Sequence, residues 1–302
     1  MLITTNKLKE LTKIDGGCFK VSNVNEAFKF CKKIAYGHYE NFPVGSILIS
    51  KRLKKHFFAI YAFARIADDI SDELTRIETA QDAIYYLDKF NKCLEFIYSN
   101  EIENIKINNP IFLSLKQTIK IFNIEISPFK RLLEAFKSDI LFKRFDNFDN
   151  LMYYCNNSAN PIGELLLKIH NECTSTNLSL SNKICTGLQL INFWQDISID
   201  LARNRSYIPK NIELKYNSKD NKEKLLNELY SYTKNLMLEG SNLLKNINNF
   251  RFKLELAFII AGGNKIMSKI EKKGINIFNE RPKIQKIDSF KIIINAIKLL
   301  YK

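Results

Sequence analysis

Phe57-Phe-Ala-Ile-Tyr-Ala-Phe-Ala-Arg-Ile-Ala-Asp-Asp-Ile-Ser-Asp72 is the stretch that decides the fold. Its polar residues Tyr61, Arg65, Asp68 and Asp72 recur at i, i+4, i+7 and i+11, which is one face of an α-helix. Nearly everything else in it is apolar, so the helix is expected to be buried almost all round, with its polar stripe facing a cavity or a partner. Leu188-Gln-Leu-Ile-Asn-Phe-Trp-Gln-Asp-Ile-Ser-Ile-Asp200 repeats the design. There Gln189, Asn192, Asp196 and Asp200 share a face at i, i+3, i+7 and i+11. Each stripe ends in Asp-x-x-x-Asp, two carboxylates one turn apart that repel one another unless a cation offsets them. No run of cationic residues stands out as a dedicated partner. Hard oxygen ligands that bridge to phosphate point to Mg²⁺ as the counter-ion.

Helical periodicity continues on either side of these segments. Helices are expected over 25–36, 51–72, 79–98, 127–141 (with Ser127 capping ahead of Pro128), 158–170, 182–201, 221–244, 251–272 and 288–300. The chain has 302 residues with only ten Gly and six Pro, too few for the many tight turns of a sandwich or barrel. Hydrophobic residues make up 46%, enough for a sizeable core. No repeat or low-complexity linker divides the chain. The expectation is an all-α protein of about ten helices forming a single domain over 1–302, with its core at about 24–285.

The six cysteines lie no closer than twelve positions apart and form no Cys-x-x-Cys pair, so they read as reduced, mostly core thiols. Residues 1–13 lack the apolar stretch of a signal peptide, and no window approaches the ~18 apolar residues of a membrane span. The expected location is cytoplasmic. Lys and Arg exceed Asp and Glu by 46 to 32, a net charge of +14. The basic residues are scattered and accompany no zinc-finger or RNP-like segment, so nucleic acid is not expected as a partner. Compositional drift accounts for the surplus first, since Lys, Asn and Ile are abundant throughout the chain, and attraction to diphosphates or anionic lipid heads is the alternative.

The two aspartate segments resemble the paired motifs of the squalene/phytoene synthase family, the head-to-head prenyl synthases. The resemblance runs from about His38 to Arg281. His38-Tyr-Glu-Asn-Phe-Pro-Val44, Tyr153-Tyr-Cys-Asn-Asn-Ser-Ala-Asn-Pro-Ile-Gly163, Phe193-Trp-Gln-Asp196 and Arg203-Asn-Arg-Ser-Tyr-Ile-Pro209 are similar to the hydroxysqualene synthase branch of bacterial hopanoid pathways. Gln195, where dehydrosqualene and phytoene synthases usually carry Arg, favours that branch.

The resemblance implies an isoprenoid-synthase-type helical bundle around a central cavity. It also implies a Mg²⁺-dependent carbon–oxygen lyase that turns presqualene diphosphate into hydroxysqualene. Asp68, Asp72, Asn192, Asp196 and Asp200 are implied as metal ligands, with Asp69 as an auxiliary. Tyr61 and the four motif aspartates are implied as catalytic. His38, Asn41, Arg65, Gln189, Asn192, Arg205 and Arg281 are implied around the substrate. A family Tyr before Arg281 is Asn264 here. The implied reaction needs no hydride donor, and no Gly-x-Gly-x-x-Gly fingerprint appears, so no nicotinamide is expected.

Two alternatives stand beside this reading. One is head-to-head condensation of two farnesyl diphosphates to presqualene diphosphate or squalene. The other is a non-catalytic, lipid-binding helical scaffold. Phe42, Phe58, Phe63, Phe136, Phe193 and Trp194 are candidates to line an isoprenoid tunnel, with plain core packing as the alternative. A hydrophobic product and a basic surface imply peripheral contact with the inner face of the membrane, although no anchor is evident.

Overall fold

The computed structural model describes residues 4–37, 48–99, 106–216 and 221–301. Among them there are only helices and connecting turns. The chain divides into two compact units, Met1–Leu141 and Phe142–Lys302.

The first unit runs α1 (Thr5–Leu11), α2 (Val24–Gly37), α3 (Lys51–Ile77), α4 (Ala80–Tyr98), α5 (Pro110–Phe122) and α6 (Ser127–Ile140). Helix α3 is the axis, packed on α1, α2, α4, α5 and α6. Its start is fixed by Ser50, whose side chain accepts from the Leu53 amide. Phe57, Ile60, Phe63, Ile66, Ala67, Ile70 and Leu74 are all buried. Phe63 sits inside an aromatic cluster with Phe90, Phe112 and Phe129, at centroid distances of 5.1, 6.3 and 5.2 Å. Phe63 is therefore a core residue, which settles its reading in favour of packing. Helix α6 begins at Ser127, but Ile126 occupies the cap position and no side-chain cap forms, contrary to the expected Ser127 cap.

The second unit runs α7 (Phe148–Ser158), α8 (Asn160–His170), α9 (Ser175–Gln195), α10 (Ile197–Ala202), α11 (Lys210–Lys215), α12 (Lys222–Gly240), α13 (Leu243–Asn246), α14 (Phe250–Lys273) and α15 (Lys286–Leu300). Here α9 is central, packed on α8, α12 and α14. Two close approaches hold it. A Cβ on Gly163 of α8 would meet Ser181 Oγ at 2.4 Å, and one on Gly240 of α12 would meet the Ile184 amide nitrogen at 2.9 Å. The Asn160 side chain accepts from Thr186 Oγ1 at 3.0 Å, so the Ser-Ala-Asn-Pro-Ile-Gly stretch docks α8 on α9. Trp194 is fully buried, and its indole N–H donates to Thr233 Oγ1 at 2.8 Å.

The expected helix over 182–201 begins earlier and is interrupted. Thr174 caps α9 by accepting from the Asn177 amide, and Asp196 separates α9 from α10. The other two histidines are core groups. His56 meets Thr118 Oγ1 at 2.9 Å, and His170 stacks on Phe252 at 3.9 Å. Burial pushes both down to about 4, so they are neutral near pH 7. All six cysteines are free thiols, and Cys31, Cys93 and Cys155 are buried.

Candidate active site

Each unit presents one of the two polar stripes. On α3, Tyr61, Arg65 and Asp68 are half-buried, whereas Asp72 is exposed. Asp69, one position off the stripe, is the buried carboxylate. Arg65 joins them, with its guanidinium 2.6 Å from Asp69 Oδ1 and 3.4 Å from Asp68 Oδ2. The stripe opens to solvent at Asp72, while Ile70, Ser71 and Leu74 on the other side of α3 stay buried. A cationic partner also exists, one turn away on the same helix.

That partner does not neutralise everything. Burial, reinforced by the nearby charge of Asp72 and opposed by Arg65, raises the Asp68 carboxyl from 3.8 to about 7. Asp69 and Asp139 of α6 add to the crowding. Burial opposes the charge on Arg65, but Asp69 and Asp68 more than offset it and hold the guanidinium firmly protonated. The buried Arg65 Nε has no hydrogen-bond acceptor among the described residues. Burial raises the Tyr61 phenol, so it stays protonated at neutral pH and serves as a donor, not a base.

On α9 and α10, Gln189 is half-buried and Asn192 exposed. Asp196 (φ −99°, ψ 8°) closes α9. Its amide still donates to the Asn192 carbonyl at 3.0 Å, and the Asp200 amide donates to the Asp196 carbonyl at 2.9 Å. The interruption therefore leaves the stripe on a continuous helical path. The Asp196 carboxylate is gripped by Arg281, whose Nε donates to Oδ1 and whose Nη2 lies 3.4 Å from Oδ2. Burial and the neighbouring Asp196 raise Asp200 to about 6, against the pull of Arg203, Arg205 and Arg281.

The turn after α10 is tied to the same place. The Arg205 amide donates to the Asp200 carbonyl at 2.8 Å, through Asn204 in the left-handed region at φ 56° that asparagine tolerates. The Arg205 guanidinium lies over the Phe142 ring at 5.3 Å. Phe193 stacks on Tyr207 with centroids 4.0 Å apart.

Gln195 contributes more than a branch marker. Buried, it donates from Nε2 to the Pro282 carbonyl at 2.7 Å and so fixes the backbone beside Arg281. Sequence reading missed this positioning role because the partner lies 87 positions away. Asn264 is exposed on α14. His38, Asn41 and Phe42 lie outside the described residues. Arg144 ties α11 down through Glu213 at 2.6 Å.

Among the described residues no three His, Cys, Asp or Glu side chains converge as a ready-made metal cage. Paired carboxylates are what a hard cation needs when substrate phosphates supply its other ligands. Burial first, and then the neighbouring Asp72 and Asp196, raise the Asp68 and Asp200 carboxyls, a setting in which a bound cation would be favoured. The residues present fit Mg²⁺ on both counts.

The family model described as squalene/phytoene synthase matches residues 36–288. The chain belongs to the squalene/phytoene synthase family, and with it to the isoprenoid-synthesising enzymes of prenyltransferase type. It is 37% identical over 181 residues to a hydroxysqualene synthase of Zymomonas mobilis, covering 58% of this chain and 57% of that protein. A hydroxysqualene synthase of Sinorhizobium fredii is 29% identical over 245 residues, covering 78% of this chain and 80% of the other. Among solved structures, a squalene synthase from Alicyclobacillus acidocaldarius superposes with a TM-score of 0.75 at 30% identity, over 83% of this chain and 95% of that one. A dehydrosqualene synthase shares the fold, with a TM-score of 0.75 at 20% identity over 92% and 98% of the two chains. No helix among the described residues is long and apolar enough to cross a membrane.

Proposed function

We propose that this chain is a Mg²⁺-dependent hydroxysqualene synthase, which ionises presqualene diphosphate and releases hydroxysqualene and diphosphate. The observation that carries this reading is that each Asp-x-x-x-Asp has an arginine on its first aspartate, Arg65 at 3.4 Å from Asp68 on α3 and Arg281 on Asp196 at the start of α10. Asp68 and Asp72, and Asn192, Asp196 and Asp200, are the residues that would hold the cation. Bound there, Mg²⁺ supplies charge neutralisation to the diphosphate leaving group.

The protein's own groups do the rest. Arg65 of the first unit, and Arg281 and Arg205 of the second, are the cations each unit offers to the negative charge that develops as the carbon–oxygen bond breaks and its electron pair leaves with diphosphate. Fixed groups in a low-dielectric site do this without reorganising. The protonated Tyr61 phenol and the half-buried Gln189 orient polar oxygens without removing a proton. Apolar and aromatic walls shelter the carbocation from bulk water until one water adds and gives up its proton. No hydride enters, so no nicotinamide is required.

The similarity to a squalene synthase favours a second reading, head-to-head condensation of two farnesyl diphosphates. One experiment separates the two. The purified protein is incubated with presqualene diphosphate and Mg²⁺ without NADPH, and the extract is analysed by mass spectrometry. Hydroxysqualene is the expected product. Presqualene diphosphate formed from farnesyl diphosphate, with no turnover of presqualene diphosphate, transfers the assignment to the earlier step. Inactivity in both assays returns the chain to the lipid-binding scaffold.

A further inference from the structure

Helix α15 carries an apolar stripe on the wrong side. Its inner face is well anchored. Ala296 is fully buried, and Asp288, also buried, receives Lys265 at 3.1 Å and Lys269 at 2.5 Å from α14. A capping box with Gln285 fixes its first turn. The opposite face holds Ile287, Phe290, Ile294, Ile297 and Tyr301, at i, i+3, i+7, i+10 and i+14, and every one of them is exposed. Ile287 is 73% exposed, Phe290 68% and Tyr301 88%. Other exposed large apolar residues, such as Tyr153, Leu214 and Leu238, stand on separate helices. Isolated exposure of that kind is ordinary, but a contiguous row along one helix marks a surface that something covers.

The charges around the stripe say what covers it. Lys283, Lys286, Lys291 and Lys298 are exposed at its start and along its flanks, and none has a carboxylate within ion-pair distance among the described residues. At the start of the helix, Lys269, Lys272, Lys273, Arg281, Lys283 and Gln285 line an open cavity of about 650 Å³. Asp288, the one acid within α15, is turned inward and consumed by Lys265 and Lys269. The outward surface is therefore apolar along its middle and cationic around its edge. A polar or acidic protein partner would leave one half of that pattern unmatched. An anionic bilayer matches both, with acyl chains against the isoleucines and Phe290 and headgroup phosphates against the lysines.

The structure assigns to α15 the role of an interfacial membrane-docking helix, lying in the plane of an anionic bilayer with its Ile287–Tyr301 stripe inserted. The assignment is independent of which isoprenoid reaction the chain catalyses.

The test is co-sedimentation of the full chain with vesicles of phosphatidylglycerol and phosphatidylcholine, or of phosphatidylcholine alone. The wild-type chain is expected to pellet with the anionic vesicles, and much less with the neutral ones. The triple variant Ile287→Ser, Phe290→Ser, Ile297→Ser is expected to lose at least about tenfold in vesicle partitioning. Its circular dichroism is expected to be unchanged, because all three side chains are exposed. Lys286→Glu, Lys291→Glu and Lys298→Glu together are expected to abolish the preference for anionic lipid. A Phe290→Trp chain gives a second reading that survives any folding defect in the triple variant, since its emission shifts to the blue only if residue 290 enters the acyl region. Failure of the wild-type chain to pellet overturns the proposal, as does an unshifted Phe290→Trp emission. So does a wild-type dimer that the serine variant dissolves without any vesicle binding, which would make the stripe a contact between copies.

Discussion

Asp68 shows how burial and a neighbouring carboxylate together act on a single side chain. Its carboxyl is raised to about 7 from an ordinary 3.8, so the folded chain holds a proton there that the unfolded chain releases. That contribution to stability is fully present below pH 3.8 and is lost as pH climbs through about 7. With 39% of its side chain exposed, Asp68 gives an effect that solvent screening moderates. In the metal-free chain, the stability gap between Asp68→Asn and wild type is expected to widen in favour of the variant between pH 4 and pH 7.5. Denaturant midpoints across that range are the measurement. Added Mg²⁺ is expected to raise the wild-type midpoint more at pH 7.5 than at pH 5.5, since the cation takes the place of the proton.

Gln195 makes the second prediction at this scale. Replacement by Leu leaves the buried Pro282 carbonyl without its donor, at a cost of about 1–3 kcal/mol in unfolding free energy. Because Arg281 immediately precedes Pro282, whose carbonyl is the anchored group, diphosphate affinity is expected to fall with it. Gln195→Glu provides no replacement donor when ionised and is expected to behave like the Leu variant. Chemical denaturation and diphosphate inhibition check the two effects separately.

At the scale of the helices, α3 was readable from the sequence because its apolar residues and its polar stripe obey one period. The Lys51–Ile77 helix extends past the expected end at Asp72, since Leu74 returns to the core one turn later. Helix α9 was only half readable. The run Thr174-Ser-Thr-Asn-Leu-Ser-Leu-Ser-Asn182 has weak helix propensity, yet the buried Asn177 and Ser181 show that packing overrides it. Helices α5 and α7, open at Asn109 and Asn147, were not expected at all, although each asparagine accepts from an amide two or three residues on. Their short apolar patterns gave little signal against the surrounding polar residues. The same tight packing makes a prediction at Gly240, where an added methyl would meet α9 backbone at 2.9 and 3.1 Å. Gly240→Ala is expected to destabilise by about 1–3 kcal/mol through overpacking, exceeding the ~1 kcal/mol that alanine gains in a helix interior. Thermal unfolding measures it.

For the whole molecule, composition excluded β architecture and the paired motifs pointed to the family, but neither could reveal the partners of Gln195 or Arg281, 87 and 85 positions away. Those contacts depend on groups brought together by folding, and a spacing pattern has no access to them. The thiols provide a probe of the complete chain. Burial pushes Cys31, Cys93 and Cys155 up to about 12 and Cys185 to about 11, and only Cys18 is exposed. Thiolate is the reactive form. At pH 8 the native chain is expected to show one fast thiol in a colorimetric titration, with full reactivity only in denaturant. Prompt reaction of three or more would mean that one of the two compact units opens far below the global transition.

The grip of Arg281 on Asp196 has a thermodynamic corollary. A cation that takes Asp196 strips Arg281 of its anion, and a diphosphate that takes Arg281 strips Asp196 of its cation. Either ligand alone must break the pair and leave one charge stranded. Arriving together, each satisfies the residue that the other has vacated, so the exchange of partners costs little. If the site takes cation and diphosphate as proposed, the two would bind with mutual reinforcement, and the resting Arg281–Asp196 pair would disfavour either one alone.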